Sequence, residues 1–282
     1  MMFFKFIRFD IKNGILRQYN AVLLTFLFSF LAAGLHALSL RVYELVHPEY
    51  LDIQSTIADF MITVFAGCRE NAAQEMGMSF QVPFLWMAYI CWMLLITLRY
   101  PLEELAGIGK QLLVLSRKRS YWFFSKCVWI CIYTTVSFIA MCLGITAMGL
   151  LCGANLSFDV NEYLAAEVNF ISPYLKPAPW NIASLVVTNL ITLVALGVVQ
   201  FAVSLFLKPL YAYLLIVGYA LACTYISSPF LVGNYMMGAR SASITTAGYI
   251  PLEGIFISIW LAVVAAIIGW LRFSNYDILG KE

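Results

Sequence analysis

Six apolar stretches, roughly residues 21–40, 83–98, 127–152, 181–207, 209–225 and 255–271, contain no Asp, Glu, Lys or Arg. A helix rises about 1.5 Å per residue, so about 20 such residues cross a hydrocarbon core of about 30 Å. The pattern predicts an all-α membrane protein with six transmembrane helices. The fourth and fifth stretches are divided at Lys208-Pro209, because proline cannot continue the backbone ladder. Only 11% of the 282 residues are charged, against about 25% in a soluble domain, which excludes a water-soluble fold.

The charges are sorted by side. Of 17 Lys and Arg, 13 lie in the N-terminal arm, the 99–126 connection, Lys208 and the C-terminal tail. The other four (Arg41, Arg69, Lys176 and Arg240) share the alternate connections with ten acidic residues. The positive-inside rule then places both termini in the cytoplasm. A multi-pass location in the plasma membrane, of a bacterial cell, is expected. The first apolar run is longer than a signal-peptide core and follows a charged arm, so retention is expected.

One integral domain, 1–282, accounts for the whole pattern. Its arm, 1–20, has Phe4, Ile7, Ile11 and Ile15 at helical spacing, with Lys5, Arg8 and Lys12 on another face. That predicts an amphipathic helix lying in the inner headgroup layer. The outer connections are 41–82, 153–180 and 226–254. In the first, Ile57, Phe60, Met61, Val64 and Phe65 follow an i, i+3, i+4 pattern, which predicts a short outer-surface helix packed over the bundle. The third holds an apolar segment around Pro229-Phe230-Leu231 that glycine and proline break before the last span. It is expected to dip into the outer leaflet. In the cytoplasmic connection, Arg99-Tyr100-Pro101 is expected to end the second span, with a short helix opening at Leu102.

Several chemistries are absent. Gly109-Lys110 lacks the upstream glycine and following Ser or Thr of a phosphate loop, since Glu104 and Gln111 stand there. No nucleotide hydrolysis is expected, nor any metal, cofactor or catalytic residue in this chain. The chain has no His-Glu-x-x-His and no Gly-x-Ser-x-Gly, no pair of buried carboxylates is expected, and His36 and His47 are isolated near the outer end of the first span. The apolar windows offer no ionisable groups for acid–base chemistry or proton coupling. Cys127 and Cys131 are one turn apart without a carboxylate or His beside them, while Cys68 and Cys152 could pair on the outer side. Asn155-Leu156-Ser157 is a glycosylation sequon that matters only in a eukaryotic host. Gly149-x-x-x-Gly153 is a weak signal for close helix approach. Among neutral polar residues within spans, Asn189 and Gln200 are the candidates for a substrate path, because a buried amide needs several partners.

The layout resembles the membrane subunit of type-2 ABC exporters. The likeness rests on the basic arm, the six spans, the loop Gly109-Lys110-Gln111-Leu112-Leu113-Val114-Leu115-Ser116-Arg117-Lys118-Arg119 through Lys126, and Pro229-Phe230-Leu231 with Asn234, Met237 and Arg240. The acidic-threonine start usual for the family's cytoplasmic helix is missing; Glu103 and Glu104 stand in its place. The resemblance implies a permease without enzymatic activity that pairs with a second permease, alike or different. It also implies a separate cytoplasmic ATPase that carries ATP and Mg, and an amphiphilic substrate such as a peptide. A coupling helix from about Leu102 to Leu115 would dock that ATPase. Leu105, Ile108, Leu112 and Leu115 would form its apolar stripe, with Glu103, Glu104 and Lys110 at the rim. No nucleic acid is implied. A non-transporting scaffold or sensor, an intramembrane enzyme and a secondary transporter are the rivals.

Overall fold

The computed structural model describes residues 2–46, 54–69, 82–107, 113, 119–162, 164, 175–176 and 180–275, without the side chains of Met2, Leu102 and Ala106. The long elements are all helical. Helix α1 (Met2–Asp10) runs through a π turn (Ile11–Ile15) and a 3-10 turn (Leu16–Gln18) into α2 (Tyr19–Val46). There follow α3 (Ile57–Phe65), α4 (Phe84–Ala106), α5 (Arg119–Leu151), α6 (Ala183–Ser204), α7 (Pro209–Tyr225) and α8 (Pro251–Ser274). Among the described residues, five helical segments are long and apolar enough to cross a membrane, with α1 and α2 counted as one, so the protein is a multi-pass membrane protein. Helix α7, at 17 residues, is shorter, about 25 Å.

Two helices form the centre. α5 packs against α1, α2, α3, α4, α6 and α8, and α6 packs against α4, α5, α7 and α8. Small residues set the closest approach. A Cβ on Gly144 of α5 would lie 2.2 Å from the Ser29 hydroxyl and 2.5 Å from the Phe26 carbonyl of α2. Without a hydrophobic drive between helices in lipid, such backbone contact is what holds them together. The outward faces of α2 and α8 carry Leu27, Leu31, Leu35, Phe256, Trp260 and Val263, all exposed as lipid-facing residues should be.

Local chemistry explains the boundaries. Thr56 and Asp59 form a reciprocal capping box that starts α3. Pro209 and Pro251 occupy first-turn positions, where a missing N–H costs nothing. α5 ends at Gly153, whose φ of 82° favours glycine, with the Ala154 N–H bonded to the Gly149 carbonyl and the Gly153 N–H to that of Leu150. Of the two glycines only Gly149 serves a helix contact, facing Ile57 and Phe60 of α3; Gly153 faces open space.

One end of the bundle is capped. The two-stranded sheet β1 (Asp159–Val160) and β2 (Trp180–Asn181), the buried α3 and the 3-10 turns Val232–Met236 and Gly238–Arg240 close it. α3 is not a surface helix as expected; eight of its nine residues are buried against α2, α4 and α5. The opposite end, here the basic end, holds α1, the ends of α4 and α8 and the start of α5, where the Arg119 guanidinium donates to the Ser274 carbonyl.

Three expectations are corrected at the basic end. The second span does not stop at Pro101; α4 continues through it to Ala106. Only the Thr97 carbonyl loses its helical donor there, a cost small enough near a helix end to be absorbed. The row of α1 that faces the protein is Phe6, Asp10 and Gly14, whereas Phe4 and Ile11 of the expected apolar row are exposed. And α5 begins eight residues before the apolar window, so a charged residue lies well inside the helix.

Candidate functional site: a buried ionic junction

Lys126 is seven residues into α5, about 10 Å along its axis from Arg119. Its ammonium bonds both Asp10 Oδ1 of α1 and Glu104 Oε2 of α4. The three residues are 0%, 1% and 7% exposed. A lone buried charge would cost several kcal/mol, so three charges from three helices are held only because they meet.

Aromatic donors complete the shell. The Tyr100 hydroxyl donates to Asp10 Oδ1 at 3.0 Å, and the Trp122 indole N–H donates to Glu104 Oε1 at 3.3 Å. The ammonium also lies 4.9 Å from the Tyr100 ring and 5.2 Å from that of Trp122, within cation–π range. Asp10 Oδ2 has no hydrogen-bond partner. Trp129 continues the aromatic stack, its ring 4.7 Å from Tyr100 and 4.8 Å from Tyr133.

Sequence places these groups through helical register. Asp10 follows Phe6 and precedes Gly14 by one turn each, so the acid shares the buried row of α1. The π turn directly after Asp10 is where Gly14 meets Trp129; a Cβ there would sit 2.2 Å from the indole nitrogen. Single π turns inside helices commonly mark functional positions. On α5, Trp122, Lys126, Trp129 and Tyr133 recur at intervals of four, three and four, and all are buried.

Of the proposed docking residues, Glu104 is turned into the junction rather than toward a rim. Glu103 is exposed and pairs with Arg99 at 2.7 Å, as neighbours one helical turn apart. Leu105 packs partly buried against the core, so it does not belong to a free stripe. Leu102 lies in α4, though its side chain is outside the described residues, as are Ile108, Lys110, Leu112 and Leu115. The two path candidates separate. Asn189 is a structural tie: its amide donates to the Leu185 and Met236 carbonyls and accepts from the Tyr89 hydroxyl. Gln200 is buried, with neither amide atom hydrogen-bonded, and the Tyr133, Thr134 and Ser137 hydroxyls of α5 share that condition.

The capped end holds a second buried cation. Arg240 donates to the Cys68 carbonyl at 2.9 Å, the Cys223 carbonyl at 2.8 Å, the Thr224 carbonyl at 2.7 Å and Asn234 Oδ1 at 2.6 Å. It thereby fastens the segment after α3 and the broken segment to the last turn of α7, whose carbonyls would otherwise be orphaned. Cys68 is a free thiol that accepts from Arg240 and donates to Thr224; Cys152 is free as well. Burial pushes the Cys68 thiol up despite the guanidinium beside it. Burial also pushes Asp59 up to about 6, against the opposing effect of donors from Thr56 and Asn161. His36 packs its ring 4.9 Å from Phe60 and bonds Thr63, a structural role.

Among the described residues no group of three His, Cys, Asp or Glu could hold a metal. The sequence names Lys126 only as the end of the loop that carries the resemblance and does not mark Asp10, and the expected absence of a buried carboxylate pair is corrected by Asp10 and Glu104. The available signal was one charged residue between Trp122 and Trp129 and one acid among the bases of the arm. No curated protein and no solved structure matches the chain. A family model described as a protein of unknown function (DUF2705) matches residues 42–279, most of the chain, and the protein belongs to that family.

Proposed function

We propose that the protein is the permease subunit of an ATP-driven exporter, powered by a separate ATPase that docks on the connection between α4 and α5. In this reading α7 crosses the membrane too, giving six spans with both termini in the cytoplasm. Two permeases, alike or different, enclose a route for an amphiphilic substrate, and a peptide is the first class to test. The chain itself supplies no catalytic group.

The observation that supports the reading is the fastening of that connection. It runs from Gly107 to Arg119, with Leu113 buried in the core, and Glu104 and Lys126 tie its two flanks together while Asp10 adds the arm. A load applied between residues 107 and 119 therefore reaches α1, α4 and α5 together. α5 in turn touches most other helices. Such a joint suits a subunit driven from outside.

The test leaves the junction intact. Leu112→Asp and Lys110→Glu should cut recovery of a co-purified ATPase at least tenfold (about 1.4 kcal/mol of binding). A purified complex with no nucleotide-hydrolysing companion overturns the proposal. The buried acids also favour a second reading, a secondary transporter. Solute movement by the chain alone in liposomes, driven by an ion gradient without nucleotide, would establish that one instead.

A further inference from the structure

Hydroxyls inside the spans commonly bond their own helix. Thr25 donates to the Ala21 carbonyl, Thr97 to that of Met93, Thr135 to that of Cys131 and Ser204 to that of Phe201. Thr134 and Ser137 of α5 could do the same by rotating about χ1, and they do not. Among the described residues, nine buried side-chain N and O atoms have no hydrogen-bond partner. Seven of them belong to Asp10, Trp129, Tyr133, Thr134, Ser137 and Gln200, each no more than 1% exposed. The other two, on His36 and Trp86, lie toward the capped end.

The six residues follow the inward face of α5. Trp129, Tyr133 and Ser137 recur every four residues and continue the row that begins with Trp122 and Lys126. Thr134 lies beside that row and faces α6, where a Cβ on Gly197 would stand 4.0 Å from its hydroxyl. Gln200 is one turn past Gly197 on α6, toward the basic end. Asp10 meets the row through Lys126. The rise from Lys126 to Ser137 is about 16 Å, half of a hydrocarbon core of about 30 Å. Past Ser137 the row turns apolar, with Met141 and Ile145 buried. The polar groups of α6 at that depth are satisfied: Thr192 bonds Ser258, and Asn189 bonds the Met236 carbonyl.

An unpartnered polar atom is costly inside a bilayer, and seven along one face call for a ligand. That ligand must both give and accept. The Trp129 indole and the Gln200 NH2 donate, Asp10 Oδ2 accepts, and the three hydroxyls do either. A metal cation would meet N–H donors, and an anion would meet Asp10. Water satisfies all of them, since each molecule bridges two to four polar groups of either kind. We propose that a column of internal water runs along α5 from Asp10 to Ser137, entering from the aqueous phase at the basic end and stopping at mid-bundle. Its first molecule donates to Asp10 Oδ2, and successive molecules bridge Trp129, Gln200, Tyr133, Thr134 and Ser137. The column gives polar groups an aqueous approach to the middle of the bundle, along the helix to which the junction is fastened. The inference holds whichever engine drives the chain.

Radiolytic labelling of the full wild-type chain in lipid nanodiscs tests it. Hydroxyl radicals formed from bound water oxidise the side chains beside that water, so a buried aromatic is labelled where water is held. Each probe has an equally buried control whose polar atom is already bonded. Trp180, which donates to the Lys176 carbonyl, serves for Trp129, and Tyr89, which donates to Asn189, serves for Tyr133. Mass spectrometry should find Trp129 and Tyr133 oxidised about tenfold faster than their controls. A variant carrying Thr134→Val, Ser137→Ala and Gln200→Leu should bring Tyr133 down to the rate of Tyr89. Wild-type rates equal to the controls overturn the proposal. Labelling of Trp129 alone overturns it too, because water is then confined to the junction, as does fast Tyr133 labelling that survives in the variant.

Discussion

The two ends of the bundle each bury a cation, and they neutralise it differently. Lys126 is held by carboxylates from two other helices, so its partners are themselves charges that need it. Arg240 is held by neutral oxygens, chiefly the terminal carbonyls of α7, where the helix dipole already supplies partial negative charge. Removing Lys126 strands two anions. Removing Arg240 strands only carbonyls and an amide. The basic end is therefore a joint whose parts depend on one another, and the capped end is a set of pins that can fail singly.

The largest expected effect separates these two. Lys126→Met should destabilise by about 3–5 kcal/mol, the cost of an uncompensated buried charge. Arg240→Met should cost less, about 1–3 kcal/mol, the desolvation of unpaired acceptors. Thermal unfolding in detergent measures both. The triple variant Asp10→Asn, Glu104→Gln, Lys126→Met should recover most of the loss, because no charge is left stranded. Equal losses for the two single variants, or no recovery in the triple, would break the comparison.

Next in size is a pH effect confined to the capped end. Asp59 is raised from 3.8 to about 6 by burial, so its neutral form is the one the fold favours. Its contribution is fully present below about 3.8 and fades as pH rises through about 6; it is on the order of 2–3 kcal/mol. Hydrogen exchange of α3 amides should speed up across that window in wild type. Asp59→Asn should be flat there. A wild-type profile without slope would remove the titrating acid from the account.

Gly14→Ala sharpens the picture of the basic end. Its new methyl would meet the Trp129 indole at 2.2 Å, and overpacking of this kind costs about 1–3 kcal/mol. The arm should loosen from α5, read as faster cleavage by protease added to the N-terminal side, while α3 exchange stays unchanged. The smallest effect is Thr56→Ala, about 1 kcal/mol from loss of one half of the capping box, and it should be felt only in α3.

The spans were legible because a bilayer imposes one crude demand, a run of about 20 apolar residues. The windows at 21–40 and 255–271 lie inside α2 and α8, that at 181–207 overruns α6 at both ends, and that at 209–225 coincides with α7. Those at 83–98 and 127–152 overrun α4 and α5 by one residue at the capped end, while both helices run eight residues past them at the basic end. The overshoot hid the junction: Lys126 and Glu104 fell outside charge-free windows and read as parts of a connection. The capping box of α3 and the Pro209 and Pro251 starts were readable, since they depend on neighbours one turn away. The arm was read as helical but turned the wrong way. Its basic residues pointed to a lipid surface, and nothing local marks Asp10 as the residue that a lysine 116 positions later would claim.

Composition, the spacing of apolar runs and the sorting of basic residues determined on their own that this chain is a multi-pass helical membrane protein. Those properties are sums over many residues, and a membrane acts on such sums. Which acid meets which base, which amide is a tie and which stays unpartnered, were decided only when α1, α4, α5 and α6 packed. Each of those outcomes is set by a few ångströms of helix rotation, and rotation follows from contacts between segments that are distant in the chain.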